Sequence, residues 1–318
     1  MRSYFFVTFI LIFACTDKHE KQIVRSPESE NAKISLYVLG TVQDGGSPHI
    51  GCKKECCSLL FENPDNNRKV VSLGVVDHEN KKSFLFEASP DMPSQLKILK
   101  ELSGIPLETP DGIFLTHAHI GHYTGLMYLG REALGAKQVP VYAMPRMKSF
   151  LETNGPWDQL VALNNIALNP LNHEEIIELT PNLKVMPFLV PHRDEYSETV
   201  GYKITTQNAS ILFIPDINKW SKWKKNILNE IRQVDHAYLD ATFFDGQEIN
   251  TRDITEIPHP FVIESMALFE ALPDIEKKKV RFIHFNHTNP LLNPDSNPHK
   301  NVTEKGFNIA SFKERITL

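Results

Sequence analysis

Three histidines, His117, His119 and His122, fall within six residues in Leu115-Thr-His-Ala-His-Ile-Gly-His-Tyr-Thr-Gly125. The apolar run Ile113-Phe114-Leu115 feeds directly into them and reads as a buried strand. Alternate residues just past a strand end can turn toward one point, which lets His117 and His119 share a metal ion; His122 stands at the start of the amphipathic stretch that follows. Neutral imidazole is the commonest nitrogen ligand for zinc-like ions, and such sites need several converging donors. The same placement recurs later in the chain. His192 closes Phe188-Leu-Val-Pro, Asp216 closes Ile211-Leu-Phe-Ile-Pro, and His284 closes Val280-Arg-Phe-Ile. An ionisable group at the edge of a core is costly unless paired or coordinated. Taken singly, Asp216 could cap a helix near Lys219 and His192 could sit in a turn. Taken with the histidine triplet, they point to a metal ion that lowers the pKa of a coordinated water and polarises a substrate oxygen.

A second group of metal-binding residue types lies nearer the N-terminus. Cys52, Cys56 and Cys57 follow the Gly-rich turn Gln43 to Pro48 and read as part of one loop. Adjacent cysteines rarely pair with each other, and an odd cluster of three fits a metal with a fourth ligand from elsewhere as well as it fits a disulfide or free thiols.

The elements that must position these residues alternate between strand and helix. Lys33 to Val42, Val70 to Val76 and Ser83 to Ala88 read as strands, the last two joined by a polar hairpin at His78 to Lys82. Ser89-Pro-Asp91 leads into a helix over Met92 to Leu102. Tyr123 to Leu134 reads as a helix, Val139 to Ala143 as a strand, and another helix starts at Pro145. In the second half, Leu183 to Val190, Val200 to Thr206, Ser210 to Ile214, His236 to Leu239 and Lys279 to Phe285 read as strands. Lys219 to Arg232, with Trp220, Trp223, Ile227 and Ile231 on one side, and Phe261 to Leu272 read as helices. Periodicity by itself supports an α/β or α+β fold, with strand groups and helices interleaved in both halves.

With 318 residues, 41% of them hydrophobic, the chain can bury a large core. Its formal net charge of -5 and lack of a basic block argue against a phosphate-tracking surface, so no nucleic-acid partner is expected and a small-molecule substrate is. The N-terminus has a different character. Met1-Arg-Ser is a short basic segment, and residues 4–13 are apolar but too short to span a bilayer as a mature helix. The run ends in Leu11-Ile-Phe-Ala-Cys15, similar to a bacterial lipobox, which implies cleavage before Cys15 and lipid attachment to its sulfur. Residues 1–15 are thus expected as a lipoprotein signal peptide and 16–32, polar and charged, as a flexible tether. Residues 33–318 would then be a domain held at a membrane surface outside the cytoplasm by its lipid anchor.

The spacing from His117 to His122, followed by His192, Asp216 and His284 in that order, resembles the signature of the metallo-β-lactamase superfamily. The usual form is His-x-His-x-Asp-His, and Gly121 stands where its aspartate would be. The resemblance implies an αββα sandwich of two mixed sheets with outer helices. It also implies roles: His117, His119 and His192 as a three-nitrogen site, Asp216 bridging to a second metal and orienting the water, and His122 with His284 at that second site, without the carboxylate missing at 121. Zinc is the expected metal, with iron or manganese as alternatives. Gly45 to Cys52 with Cys56 and Cys57 is similar to a structural-zinc loop found in two subfamilies, the pyrroloquinoline-quinone biosynthesis protein B family and the phosphonate-pathway cyclic phosphodiesterases. In the latter a fourth zinc ligand follows the last catalytic histidine by three residues, which implies His287 here. Ala88-Ser-Pro-Asp91, Pro191-His-Arg193, Glu198-Thr-Val-Gly-Tyr202, Leu239-Asp-Ala-Thr-Phe243 and Ile283-His-Phe-Asn-His-Thr-Asn-Pro-Leu291 resemble the quinone-biosynthesis subfamily across nearly the whole domain. That subfamily often lacks the full central histidine pair, which is intact here. Asp91 is expected either to hydrogen-bond a ligand histidine and so serve catalysis, or to cap a helix. Asp44, Asp240 and His259 are further residues that could reach the site. The activity implied is metal-dependent hydrolysis of a phosphodiester or other ester. Two alternatives are an iron-dependent oxidative enzyme of quinone-cofactor biosynthesis and a lipid-anchored binding protein without catalysis.

Overall fold

The computed structural model describes Met1 and residues 33–106, 108–249 and 254–318. Cys15, the apolar run before it and the tether of 16–32 lie outside them. Fourteen strands are present among the described residues: β1 (Ile34–Gly40), β2 (Ser72–Asp77), β3 (Lys82–Phe86), β4 (Gly112–Phe114), β5 (Val139–Ala143), β6 (Ile166–Pro170), β7 (Ile177–Thr180), β8 (Leu183–Leu189), β9 (Val200–Thr205), β10 (Ser210–Ile214), β11 (His236–Asp240), β12 (Val280–Ile283), β13 (Asn308–Ile309) and β14 (Arg315–Thr317). They form two seven-stranded sheets, ordered β14-β1-β2-β3-β4-β5-β6 and β13-β12-β11-β10-β9-β8-β7. Both sheets are mixed. β3 through β6 run parallel to their neighbours, as do β10 through β13, while the rest of each sheet is antiparallel. The helices are α1 (Glu55–Glu62), α2 (Met92–Ser103), α3 (Ile120–Tyr123), α4 (Pro145–Thr153), α5 (Trp157–Ala162), α6 (Ile227–Arg232), α7 (Val262–Phe269), α8 (Asp274–Lys277) and α9 (Asn297–Glu304). This is the αββα arrangement.

Strand alternation explains the layering, because successive side chains point to opposite faces. Leu36 and Val38 of β1, Leu73 and Val75 of β2, and Phe84 and Phe86 of β3 face inward. They meet Val200, Tyr202 and Ile204 of β9, Phe213 of β10 and Tyr238 of β11 in the layer between the sheets. Tyr37, Leu39, Val76, Leu85 and Ile113 face outward onto α2, α4 and α5. Leu212, Leu239 and Phe282 do the same on the other side, against α6 and α7. The central layer is aromatic. Phe114 stacks on Phe86 at 4.9 Å and on Tyr142 at 4.4 Å, and Tyr202 of the opposite sheet meets Phe114 edge-on at 5.7 Å.

Several expectations from sequence need correction. Tyr123 to Leu134 is not one helix; α3 passes into a 3-10 segment at Thr124–Leu129. The cause is Gly125, whose N–H donates to the Ala88 carbonyl (2.8 Å) instead of continuing an α ladder. Lys219 to Arg232 also breaks, into a 3-10 turn at Trp220–Lys222 and α6. The indoles tie down the break: Trp220 Nε1 donates to Ser265 Oγ and Trp223 Nε1 to the Leu189 carbonyl, both at 2.9 Å. The apolar spacing there marked burial, not a helix. The cysteine loop is partly helical, since Cys56 and Cys57 lie in the first turn of α1. Strands β6, β7, β13 and β14 had no counterpart in the sequence reading.

Candidate metal centre

The residues singled out in the sequence converge at the carboxyl ends of strands from both sheets. His117 and His119 follow β4 and His119 opens α3, which carries His122; His192 follows β8, Asp216 follows β10, and His284 follows β12. Ligand atoms of His117, His119, His192 and Asp216 all lie within 4.8 Å of one another, as do those of Asp44, His122 and His284. In the first group His117 Nε2 is 2.8 Å from His119 Nδ1, and His192 Nε2 is 3.3 Å from that same atom. Asp216 Oδ2 is 3.3 Å from His117 Nε2 and 3.1 Å from His192 Nε2. Donors held about 2.1 Å from one ion at tetrahedral or octahedral angles are spaced about 3.0–3.4 Å apart; with separations from 2.8 Å to the 3.9 Å between His119 Nδ1 and Asp216 Oδ2, this quartet is close to the dimensions of a coordination shell. Asp216 Oδ2 also lies 4.0 Å from His122 Nε2, which puts it between the two groups.

The second group has a different composition from the one expected. His122 Nε2 is 2.8 Å from Asp44 Oδ1, and His284 Nε2 is 3.5 Å from the same oxygen. Asp44 Oδ1, His122 Nε2 and His284 Nε2 are buried and make no hydrogen bond, despite these short separations. Buried polar atoms are almost always hydrogen-bonded. Three that converge without bonding one another fit an ion between them.

A ring of partners fixes the imidazoles from behind. Thr116 Oγ1 lies 2.8 Å from His117 Nδ1, Glu87 Oε1 lies 3.1 Å from His122 Nδ1, and Thr242 Oγ1 lies 2.9 Å from His284 Nδ1. These contacts leave each Nε2 directed at the centre. Glu87 and His284 both adopt left-handed backbone conformations, with φ of 78° and 71°, rare for residues with a side chain and commonest where function demands them. Burial holds the His117 imidazole well below its ordinary range, aided by the neighbouring His122 and His119; it is therefore neutral, the ligating form. Burial also disfavours charge on His122, but Glu87 and Asp44 outweigh it and hold that imidazole well above its ordinary range. Burial opposes ionisation of Asp216 too, yet His192 and His259 keep its carboxyl well below the usual carboxylate range.

Asp91 does not join the site. Its carboxylate accepts the Val70 N–H (2.8 Å) and pairs with Lys69 (3.4 Å), and although it holds the N-cap position of α2 it makes no side-chain cap bond. The carboxylate behind a ligand histidine is that of Glu87 instead, with Oε1 3.1 Å from His122 Nδ1. Sequence reasoning missed Glu87, though it shares the signal used for the others: a carboxylate closing the apolar strand Phe84-Leu-Phe86. Asp240 is a fully buried support whose oxygens accept from Ile217 N–H (3.0 Å) and from the Thr242 N–H and hydroxyl (2.8 and 2.7 Å). His259 Nδ1 sits between Asp240 Oδ2 (2.9 Å) and Asp216 Oδ1 (3.2 Å).

Cys52, Cys56, Cys57 and His287 form a separate group with ligand atoms within 4.8 Å of one another. The Cys52–Cys56 and Cys56–Cys57 sulfur separations are both 4.0 Å. A disulfide requires about 2 Å, whereas thiolates on one tetrahedral zinc sit about 3.8 Å apart. Burial, with His49 and Lys54 nearby, pushes the His287 imidazole down to about 4, so it is neutral and able to ligate. His49 stacks on that ring at 4.4 Å and its N–H donates to Cys57 Sγ at 3.3 Å.

Comparison with known proteins fits this geometry. Residues 82–285 match the family model of the beta-lactamase superfamily domain. Coenzyme PQQ synthesis protein B of Methylorubrum extorquens (strain PA1) is 24% identical over 303 residues, spanning 87% of this chain and 97% of that protein. Among solved structures, Zn(2+)-bound PqqB from Methylobacterium extorquens superposes with a TM-score of 0.73 at 22% identity, covering 89% of this chain and all of the other (100%). A diphosphatase of the PhnP family superposes with a TM-score of 0.59 at 23% identity, covering 89% and 96%. At these identities the superpositions establish the fold, and the family match spans more than half of the chain. The chain therefore belongs to the metallo-β-lactamase superfamily, and its similarity to PqqB extends over nearly the whole domain.

Proposed function

We propose that this protein is a metal-dependent hydrolase acting on a phosphodiester or a related phosphoester. The observation that carries the reading is the quartet of His117, His119, His192 and Asp216, spaced as a coordination shell at the edge of an open cleft. A metal held there supplies an activated water and a Lewis acid for the substrate oxygen. The chain's own residues supply the rest. Asp216, bridging the two donor groups, orients the attacking water. Arg193, next to His192, lines two clefts beside the site, one of about 630 Å³ with Tyr123, Phe150 and Trp157, the other of about 570 Å³ with Lys53, Lys54 and His259. These cations favour an anionic substrate. Burial disfavours a charged His259, but Asp240 and Asp216 outweigh it and push the imidazole up to about 10. His119→Ala and Asp216→Ala are each expected to lower kcat/KM on bis(p-nitrophenyl) phosphate by about 10³-fold or more, with far-UV circular dichroism unchanged. Retained turnover in both variants would refute the reading.

Similarity to coenzyme PQQ synthesis protein B supports a second reading, a role in quinone-cofactor biosynthesis; we further propose for that case oxidative chemistry with iron at the same donors, which turnover without oxygen excludes. On Arg2, the apolar run of 4–13 and Cys15, the domain is further proposed to be an exported lipoprotein. No helix among the described residues is long and apolar enough to cross a membrane. Detergent partitioning of the full chain against Cys15→Ser tests the anchor.

A further inference from the structure

We infer that the second metal site takes its carboxylate from Asp44, on the turn after β1, in place of the aspartate that Gly121 replaces in the central motif. The inference rests on the metal-binding reading above and concerns only where the fourth donor comes from. A Cβ built on Gly121 would come within 2.3 Å of Asp44 Oδ1, 2.9 Å of its Cγ and 2.7 Å of its Cα. The space a side chain at 121 would enter is already filled by the side chain and backbone of residue 44. The same Asp44 Oδ1 faces both imidazoles of the second group, His122 at 2.8 Å and His284 at 3.5 Å. All three facing atoms are buried and make no hydrogen bond. Glycine at 121 and aspartate at 44 are therefore two halves of one substitution, and the carboxylate count of the second site is conserved.

The chain path explains how a loop holds a ligand in register. Val42 bridges to Phe285, the Gln43 N–H donates to the Phe285 carbonyl (2.8 Å), and the Phe285 N–H donates to the Thr41 carbonyl (2.8 Å). Asp44 and His284 are thus one residue away from the two ends of the same backbone pairing.

The test counts metal on the purified domain of residues 33–318 or on the detergent-solubilised full chain, by elemental analysis after reconstitution with zinc. Asp44→Asn keeps the shape and removes the charge. It is expected to lose one zinc equivalent relative to wild type, with second-site affinity down by about 100-fold or more, and to keep the cysteine-bound and three-histidine zinc. Gly121→Ala leaves Asp44 present but displaces it, and is expected to lose the same equivalent. Asp91→Asn, outside both centres, is expected to keep the full complement. Thermal melts and circular dichroism check that each variant is folded. An Asp44→Asn protein that retains every equivalent overturns the assignment, as does a wild type that holds only one ion among the histidines. Either result would leave the hydrolase reading intact on the first site. Full metal loading without hydrolysis would refute that reading while leaving Asp44 in place.

Discussion

The His122 imidazole is gripped at both nitrogens by carboxylates, Glu87 Oε1 at 3.1 Å and Asp44 Oδ1 at 2.8 Å. Their jobs differ. Asp44 shares its oxygen with His284, whereas Glu87 is fully buried on the far side and meets only the back of the ring and the chain around it. A carboxylate behind a ligand histidine fixes its tautomer and raises its basicity. Glu87→Gln preserves shape and removes that charge, so it is expected to weaken metal binding about 10–100-fold without losing a ligand; calorimetric zinc titration measures it. Unchanged affinity would reduce Glu87 to a packing residue. At this scale the sequence was informative wherever a polar residue closed an apolar strand, as for His192, Asp216 and His284. It was misleading at Asp91, which also follows a strand but is drawn away by Lys69 and the Val70 N–H. Asp44 was hard to rank because its partners lie far along the chain, at 122 and 284.

Among the elements, β4 has the heaviest task for its length. Its three residues, Gly112–Phe114, must aim the histidine segment, and they pair with β3 on one side and β5 on the other. Phe114 anchors it through the stack with Phe86 and Tyr142. Phe114→Ala is expected to cost about 3–5 kcal/mol of stability, read by urea unfolding, and to lower metal affinity because His117 and His119 follow the strand. A loss of stability with metal binding untouched would show that the histidine segment is held by other contacts. The long strands were legible because alternation and β-branched content agree over several residues. The short β13 and β14, of two and three residues, offer no such run, and their pairing depends on contacts with β12 and β1 far away in sequence. The helices misjudged at 123–134 and 219–232 had helical apolar spacing, but tertiary hydrogen bonds from Gly125, Trp220 and Trp223 overrode local propensity.

At the scale of the whole domain, ligands to the metal centre come from both sheets: His117, His119 and His122 after β4 of one, and His192, Asp216 and His284 after β8, β10 and β12 of the other. An ion bound there ties the two layers together and binds only the folded state. Metal at about a hundredfold its Kd stabilises by about 2.7 kcal/mol per site, so a chelator is expected to lower Tm by roughly 5–10 °C for each site it empties, read by scanning calorimetry. A Tm indifferent to chelation would mean that no ion is held at the centre or that the unfolded chain binds it as tightly. The arrangement also bears on the history such a chain can have. With the Cα of residue 44 only 2.7 Å from where a Cβ at 121 would stand, aspartate cannot return to position 121 by a single mutation while the loop keeps its path. The loop would have to withdraw first, and until position 121 changed neither position would offer a carboxylate to the two imidazoles. Once adopted, the exchange works as a ratchet, and descendants of this chain are expected to vary at 44 and 121 together or not at all.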